Sequence, residues 1–372
     1  MQDSKLKILM IAFAILFAGL GTYLLQNSHA TSPATSFEAE KGNLSALATT
    51  GVDISASNGA YAQFGSGRGI SNPAAVTAGF YPCDGNDPVT CFKSEAAMLN
   101  RTPSSLHVTL FTSSTDANTM AGNGWGAFVG NGTTFPYQWQ TVSPHPNMTI
   151  SVPLAFGGQS PSQSVGTSEM AAVANGTYDS QYTQLVNYAM GAGYTNITWR
   201  LGWEFDGNWF PWSSYNNPTE FVAAYRHVHD LIKSIMPASK FDWCGGGGIS
   251  YHVNWAAAYP GDSYVDYIGA DTYDFANDST LAAFNRDILP GLQDQLSFAK
   301  THSKQLSYPE WGLGTNDDTY FIQAMHDWFN SLPTSGGGSL GYNDYFNSNS
   351  GGASSLDNNP KSKALFITLF SK

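Results

Sequence analysis

The sequence predicts an α/β chain folded as a (β/α)8 TIM barrel with a short N-terminal β extension, on three observations. From Arg68 onward, short runs rich in β-branched and aromatic residues alternate with helix-like segments. Eight such runs are present, the number that closes a barrel of this kind. Two of them end in a glutamate beside aromatics: Glu204 in RLGWEFDGNWFPW (Arg200 to Trp212) and Glu310 in SYPEWGLG (Ser307 to Gly314).

Residues 1–30 carry Lys5 and Lys7, then the apolar run Ile8 to Leu25, then a small-residue exit at Ser28, His29 and Ala30. This segment reads as a signal peptide or, being long enough to span a bilayer, as an uncleaved membrane anchor. Both readings place the protein as secreted or extracellular, held to a membrane only if residues 8–25 stay attached. Residues 31–66 form a linker and a short β segment. Within it, FEAE (Phe37 to Glu40) and YAQF (Tyr61 to Phe64) resemble the opening strands of family 6 and 35 carbohydrate-binding modules. A full sandwich needs about 100 residues, so a truncated version packing on the next domain is expected.

Residues 67–372 are assigned to the barrel. Its strands are read at Val76 to Tyr81, Leu106 to Phe111, Met148 to Phe156, Asn196 to Glu204, Lys240 to Gly246, Tyr264 to Tyr273, Gln305 to Trp311 and Ser339 to Phe346. Helix-like segments fall at Tyr178 to Met190, Thr219 to Ile235, Leu281 to His302, Thr319 to Asn330 and Lys361 to Phe370. In the second of these, Phe221, Tyr225, Val228, Leu231, Ile232 and Ile235 recur at helical spacing between Pro218 and Pro237, which predicts a core-facing amphipathic helix. Its His227 and His229 are read as a partly exposed surface pair. The Gly-rich and aromatic-rich stretch Asn123 to Pro146 is read as a long functional loop.

The composition is that of a globular protein, and a net charge of −12 argues against nucleic acid as a partner. It suits a neutral polymer acted on by a monomer. Of three cysteines, Cys83 and Cys91 bracket the turn-rich DGNDPVT and are expected to close a disulfide, while Cys244 reads as a buried free thiol. Metal-ligand spacing is absent, and neither a metal nor another cofactor is expected. The run of glycines from Gly245 to Gly248 lacks the Lys and Ser/Thr of a phosphate-binding loop.

Two carboxylates aimed into one cleft among aromatics are what glycoside hydrolysis needs. One acid protonates the leaving oxygen, and the other attacks or stabilises the anomeric carbon. Trp209, Trp212, Trp255 and Trp311 are expected to line sugar subsites, since pyranose rings offer apolar C–H faces that stack on aromatic planes. Asp271 and Asp274 are read as hydrogen-bonded residues of a strand end.

The residues Arg200, Glu204, Gly207, Trp209 and Trp212, then Asp266, Ile268 and Tyr273, then Glu310 and Trp311, resemble the motifs of glycoside hydrolase family 26, the β-mannanase family. The resemblance covers roughly Gly67 to the C-terminus. It implies a retaining mechanism with Glu204 as acid/base and Glu310 as nucleophile. It also implies that Tyr273 holds the nucleophile. Arg200, Trp203, Trp209, Trp212, Trp255, Tyr273 and Trp311 are expected to bind the substrate. The residue before the acid/base departs from the family, being Trp203 where His is usual, and Trp offers only a donor N–H. The expected function is a secreted retaining endo-β-glycanase acting on a β-linked plant or cell-wall polysaccharide, first of all β-1,4-mannan. The alternatives are a non-catalytic polysaccharide-binding barrel, or a β-glycanase acting on xylan or mixed-linkage glucan.

Overall fold

The computed structural model describes residues 48–52, 60–64, 76–81, 88–109, 145–156, 163–215, 217–246, 255–275, 280–314 and 316–371. The chain divides into two units, 1–72 and 73–372. In the first, β1 (Ala48–Val52) and β2 (Ala60–Phe64) pair antiparallel, with Ala48 opposite Phe64. YAQF is thus strand, whereas FEAE and residues 8–25 lie outside the described residues.

In the second unit, eight parallel strands close a barrel in the order β10-β3-β4-β5-β6-β7-β8-β9. They are β3 (Gly79–Tyr81), β4 (Ser105–Thr109), β5 (Asn147–Val152), β6 (Thr198–Leu201), β7 (Lys240–Gly246), β8 (Tyr267–Asp274), β9 (Gln305–Leu313) and β10 (Leu340–Phe346). Each falls on one of the predicted runs, which confirms the (β/α)8 architecture. Side chains alternate between the two faces of each strand. Trp199, Trp243 and Tyr345 point outward under the helices, while Ser105, Arg200, Asp242 and Asp344 are buried polar residues.

The helices of the second unit include α1 (Pro88–Leu99), α2 (Gln163–Ala174), α3 (Asp179–Gly191), α4 (Pro218–Ile235), α5 (Trp255–Ala258), α6 (Leu281–Asp287), α7 (Leu289–Thr301), α8 (Thr319–Ser331) and α9 (Pro360–Phe370). In α4, Phe221, Tyr225, Val228 and Ile232 are buried as the period requires. His229 is buried too, between the rings of Phe241 and Tyr264 at 4.3 and 4.9 Å, so only His227 of the expected surface pair is partly exposed.

The segment Leu281 to His302 is two helices. Pro290 lies in the first turn of α7, where its missing N–H costs nothing, and the chain turns at Ile288. Helices α1 and α2 were not read from the sequence; α2, QSVGTSEMAAVA, has no clear apolar stripe to announce it. Pro88 to Thr90 form the first turn of α1 instead of belonging to a loop, and Cys91 is disulfide-bonded within that helix. Its expected partner Cys83 lies outside the described residues, as does most of the loop Asn123 to Pro146.

Two buried carboxyls make stability depend on pH. Glu95 on α1 accepts from Asn347 Nδ2 at 3.1 Å, and burial pushes its pKa up to about 8. Burial does the same to Asp344 inside the barrel, with Ser105 as its hydrogen-bond donor and Asp242 adding repulsion. Both folded-state values exceed the unfolded ones. Their favourable contribution is therefore full below about pH 4 and is lost as pH rises to about 8. The melting temperature is expected to fall across that window. Glu95→Gln should flatten the fall, by an amount worth on the order of 1 kcal/mol or more at pH 8; a parallel pH profile in the variant would refute the assignment.

Candidate active site

Active sites of such barrels lie at the carboxyl ends of the strands. Glu204 follows β6, the fourth barrel strand, and Glu310 lies on β9, the seventh. Glu204 takes φ +50°, a left-handed conformation that a non-glycine residue adopts only when its surroundings enforce it. Its N–H donates to Cys244 O at 2.9 Å, and its own carbonyl accepts from Gly207 N at 3.0 Å. The side chain is thereby turned up out of the strand. At Gly207 a Cβ would run into the Trp209 ring, so glycine lets Trp209 fold back and donate its Nε1–H to Glu204 Oε2 at 2.6 Å.

Glu310 is aimed by a different device. Pairing with β8 and β10 shifts register between Tyr308 and Trp311, so β9 carries one extra residue there. This bulge lets Tyr308 and Trp311 both face outward while Glu310 reaches into the barrel mouth. Arg200 Nη1 donates to Glu310 Oε1 at 2.5 Å, and Tyr273 OH donates to Oε2 at 2.7 Å. Arg200 is fully buried and also pairs with Asp271. Ser151 Oγ accepts from Arg200 at 3.1 Å and lies 2.7 Å from His107 Nε2, while Cys244 Sγ lies 3.4 Å from Arg200 Nη2.

One oxygen from each of Glu204, Asp271 and Glu310 lies within 4.8 Å of the other two. Such a trio could hold a cation, yet Arg200 already supplies positive charge to Asp271 and Glu310. Burial, and next the charge of Glu310, raises the Glu204 pKa to about 7, against the opposing pull of Arg200 and the Trp209 hydrogen bond. The site thus holds one carboxyl protonated near neutrality beside another whose two oxygens are both held by donors.

The aromatics divide. Trp209 is half-buried at the mouth, and Trp255 is half-buried with its N–H on Asp206 Oδ2 at 3.1 Å. Asp206 also accepts from Gly246 N at 2.6 Å, which ties the loop after β6 to the end of β7. Trp203, Trp212 and Trp311 do not line subsites. Trp212 is 0 % exposed, lies flat on Phe210 and gives its N–H to Trp203 O at 2.7 Å. Trp203 is covered by Phe210 and Trp212, and Trp311 packs outside the barrel against Phe329, Tyr345 and Phe370 with its N–H on Asn343. Arg200 is likewise too buried to meet a sugar and instead positions Glu310. Ser151 and His107 escaped the sequence reading, since a lone polar residue inside an apolar run carries no pattern.

Trp212→Ala is therefore expected to cost about 3–5 kcal/mol of stability, the range for truncating a buried Trp, and to be seen as a lowered melting temperature. A normal melt with a raised KM would restore the subsite reading.

The glycosyl hydrolase family 26 model matches residues 168–303, a segment that contains Glu204 and Tyr273 and stops short of Glu310. Endoglucanase H of Acetivibrio thermocellus is 31% identical over 115 residues, and a mannan endo-1,4-beta-mannosidase of Bifidobacterium adolescentis is 25% identical over 139. These matches cover 28% and 33% of this chain and span only 12% and 14% of the length of those relatives. Among solved structures, the catalytic domain of an endo-beta-1,4-mannanase from Bacillus sp. JAMB-750 superposes with a TM-score of 0.59 at 15% identity, over 80% of this chain and 86% of that one. A family 26 β-mannanase from Bacteroides ovatus gives 0.56 at 13% identity, over 80% and 88%. In fold, and in sequence over residues 168–303, the chain is thus similar to glycoside hydrolase family 26.

Proposed function

We propose that the chain is a retaining endo-β-glycanase whose first substrate is β-1,4-mannan. The observation that carries this reading is the pair Glu204 and Glu310, with oxygens within 4.8 Å. That distance suits the carboxyl spacing of about 5–5.5 Å of retaining enzymes and not the roughly 6.5–9.5 Å that leaves room for an interposed water. Glu204, holding its proton near neutrality, protonates the glycosidic oxygen as that bond breaks. Glu310, fixed by Arg200 and Tyr273, attacks the anomeric carbon to give a covalent glycosyl ester. Glu204, now ionised, takes a proton from water, which hydrolyses the ester with net retention. The mannan preference rests on the names of similar proteins. The buried Trp203, in place of the His usual in the family, leaves xylan and mixed-linkage glucan as the substrates to test against it.

A reducing-sugar assay on mannan, glucomannan, xylan, mixed-linkage glucan and chitin, with the anomer of the first-formed product followed by NMR, tests the reading. Release of the inverted anomer, or no cleavage of any β-glycan, would overturn it. Because the free enzyme must hold Glu204 protonated, kcat/KM on polysaccharide is expected to fall as pH rises through about 7. A basic limb beginning only above about pH 9 would contradict that role for Glu204. We also propose that residues 1–30 direct export and that the catalytic domain begins near residue 67. The first rests on the composition of residues 1–30, and the N-terminus of protein recovered from culture medium tests it; the second rests on the alternation of strand-like and helix-like runs from Arg68 onward.

A further inference from the structure

Several bonds fasten the turn that carries Glu204 to itself. Trp212 Nε1–H donates to the Trp203 carbonyl at 2.7 Å, Ser214 N–H and Oγ–H reach the Phe205 carbonyl at 2.7 and 3.0 Å, and Ser213 Oγ–H reaches that of Gly207. Such bonds shape the turn without fixing where it stands on the barrel. Two more go to the end of β7. The register of β6 on β7 runs from Thr198 opposite Lys240 to Arg200 opposite Asp242. Beyond it Glu204 N–H donates to Cys244 O at 2.9 Å, and the Asp206 carboxylate accepts from Gly246 N–H at 2.6 Å. A side-chain oxygen there does the work of a strand carbonyl. The other oxygen of Asp206 accepts from Trp255 Nε1–H at 3.1 Å, so one buried carboxylate grips two donors that flank residues 247–254 in the chain. Gly245, in the run of glycines, lets them meet: a Cβ there would stand 2.8 Å from Asp206 Oδ2 and 2.7 Å from Trp255 Cζ2. Burial pushes the Asp206 pKa up to about 6 against the pull of these two N–H groups, so near neutrality the carboxylate is ionised and accepts from both.

We propose that Asp206 is the positioning residue of the acid/base: by gripping Gly246 and Trp255 it holds the turn against β7 and keeps Glu204 in the left-handed conformation that aims its carboxyl into the cleft. The proposal rests on reading Glu204 as the acid of a glycosidase pair. A non-glycine residue at φ +50° stays there only where its surroundings over-determine it, and Asp206, two residues on, is fixed at both oxygens. Proton delivery depends steeply on the placement of the donor. The grip therefore acts on the step that Glu204 serves, and its loss should follow how much a substrate needs that proton.

Asp206→Asn and Asp206→Ala are compared with the wild type in the full chain. Both partners only donate, so an amide accepts from one and turns its own NH2 on the other. Asparagine is therefore expected to fail as alanine does, while keeping the volume of the site. The substrates are the β-glycan that the wild type cleaves, β-1,4-mannan first, and aryl glycosides of the same sugar whose phenols run from acidic to weakly acidic. In both variants kcat/KM should fall about tenfold to a hundredfold on the polysaccharide, through kcat, and less than about twofold on the glycoside of the most acidic phenol. A second readout needs no turnover. Trp209 Nε1–H lies on Glu204 Oε2, so in the wild type its indole N–H resonance should shift as Glu204 titrates near pH 7, and in both variants that shift should be lost. Wild-type activity in the asparagine variant or an unchanged indole titration overturns the proposal. So does a loss equal across leaving groups, which would mark Asp206 as a prop for the fold. If the wild type cleaves no β-glycan while the indole titration still depends on Asp206, the glycosidase reading fails and Asp206 stands as the residue that positions Glu204.

Discussion

Glu310→Ala is expected to abolish turnover, with kcat/KM falling about 10^5-fold or more on polysaccharide and activated aryl glycoside alike. No leaving group is good enough to compensate for a missing nucleophile, so the two substrates should not separate. The loss is chemical because the framework keeps its charge balance: Arg200 retains Asp271, Ser151 and Cys244 as partners, so a cooperative melt should persist. Removing Glu310 also deletes the second-largest influence holding the Glu204 pKa near 7. In Glu310→Gln the Glu204 carboxyl should therefore titrate at lower pH than in the wild type, as followed by NMR on labelled glutamate. More than a hundredth of wild-type activity in Glu310→Ala would mean that another carboxylate, such as Asp271 of the same cluster, is the nucleophile.

The barrel was legible because strand propensity and helix period both survive in single segments. Lys240 to Gly246 was bounded to the residue, and α4 showed its stripe. What stayed hidden depends on local geometry that period cannot express. Counting alternate residues from the outward Tyr308 places Trp311 inside the barrel and Glu310 outside; the one-residue bulge reverses both. Trp212 looked like a subsite because it closes an aromatic-rich loop, yet that loop folds back on itself and uses Trp212 to hold the carbonyl of Trp203. Arg200 was visible as a motif residue, but its service to Glu310 and Asp271 at once joins positions 110 and 71 residues away. The two glutamates drew notice as a pair, each ending a strand-like run beside aromatics, and the barrel brings their oxygens within 4.8 Å. The network that tunes them is built from serine, cysteine and histidine, which in isolation look like ordinary core.

Glu204→Ala separates the two roles. Protonation of the leaving oxygen matters in proportion to how poor the leaving group is. Polysaccharide hydrolysis should therefore drop about 10^2–10^4-fold, the usual worth of general acid–base catalysis. An aryl glycoside with an acidic phenol needs no proton, so Glu310 still forms the glycosyl ester at a useful rate. Hydrolysis of that ester should then stall, because in the proposed mechanism Glu204 is also the base that activates water. A burst of phenol followed by a slow steady state is expected, with the glycosyl ester detectable on Glu310 by mass spectrometry. Azide is a nucleophile that needs no base, and deleting the side chain opens space beside Trp209, so added azide should restore turnover and release a glycosyl azide of retained configuration. In Glu310→Ala any azide product would arise by direct attack on the substrate and carry inverted configuration. The pH profile should change as well: the fall in kcat/KM through about pH 7 belongs to Glu204 and should vanish for the aryl substrate in Glu204→Ala. If Glu204→Ala keeps full activity on polysaccharide, or if the two variants respond to azide in the opposite sense, the acid/base is not Glu204.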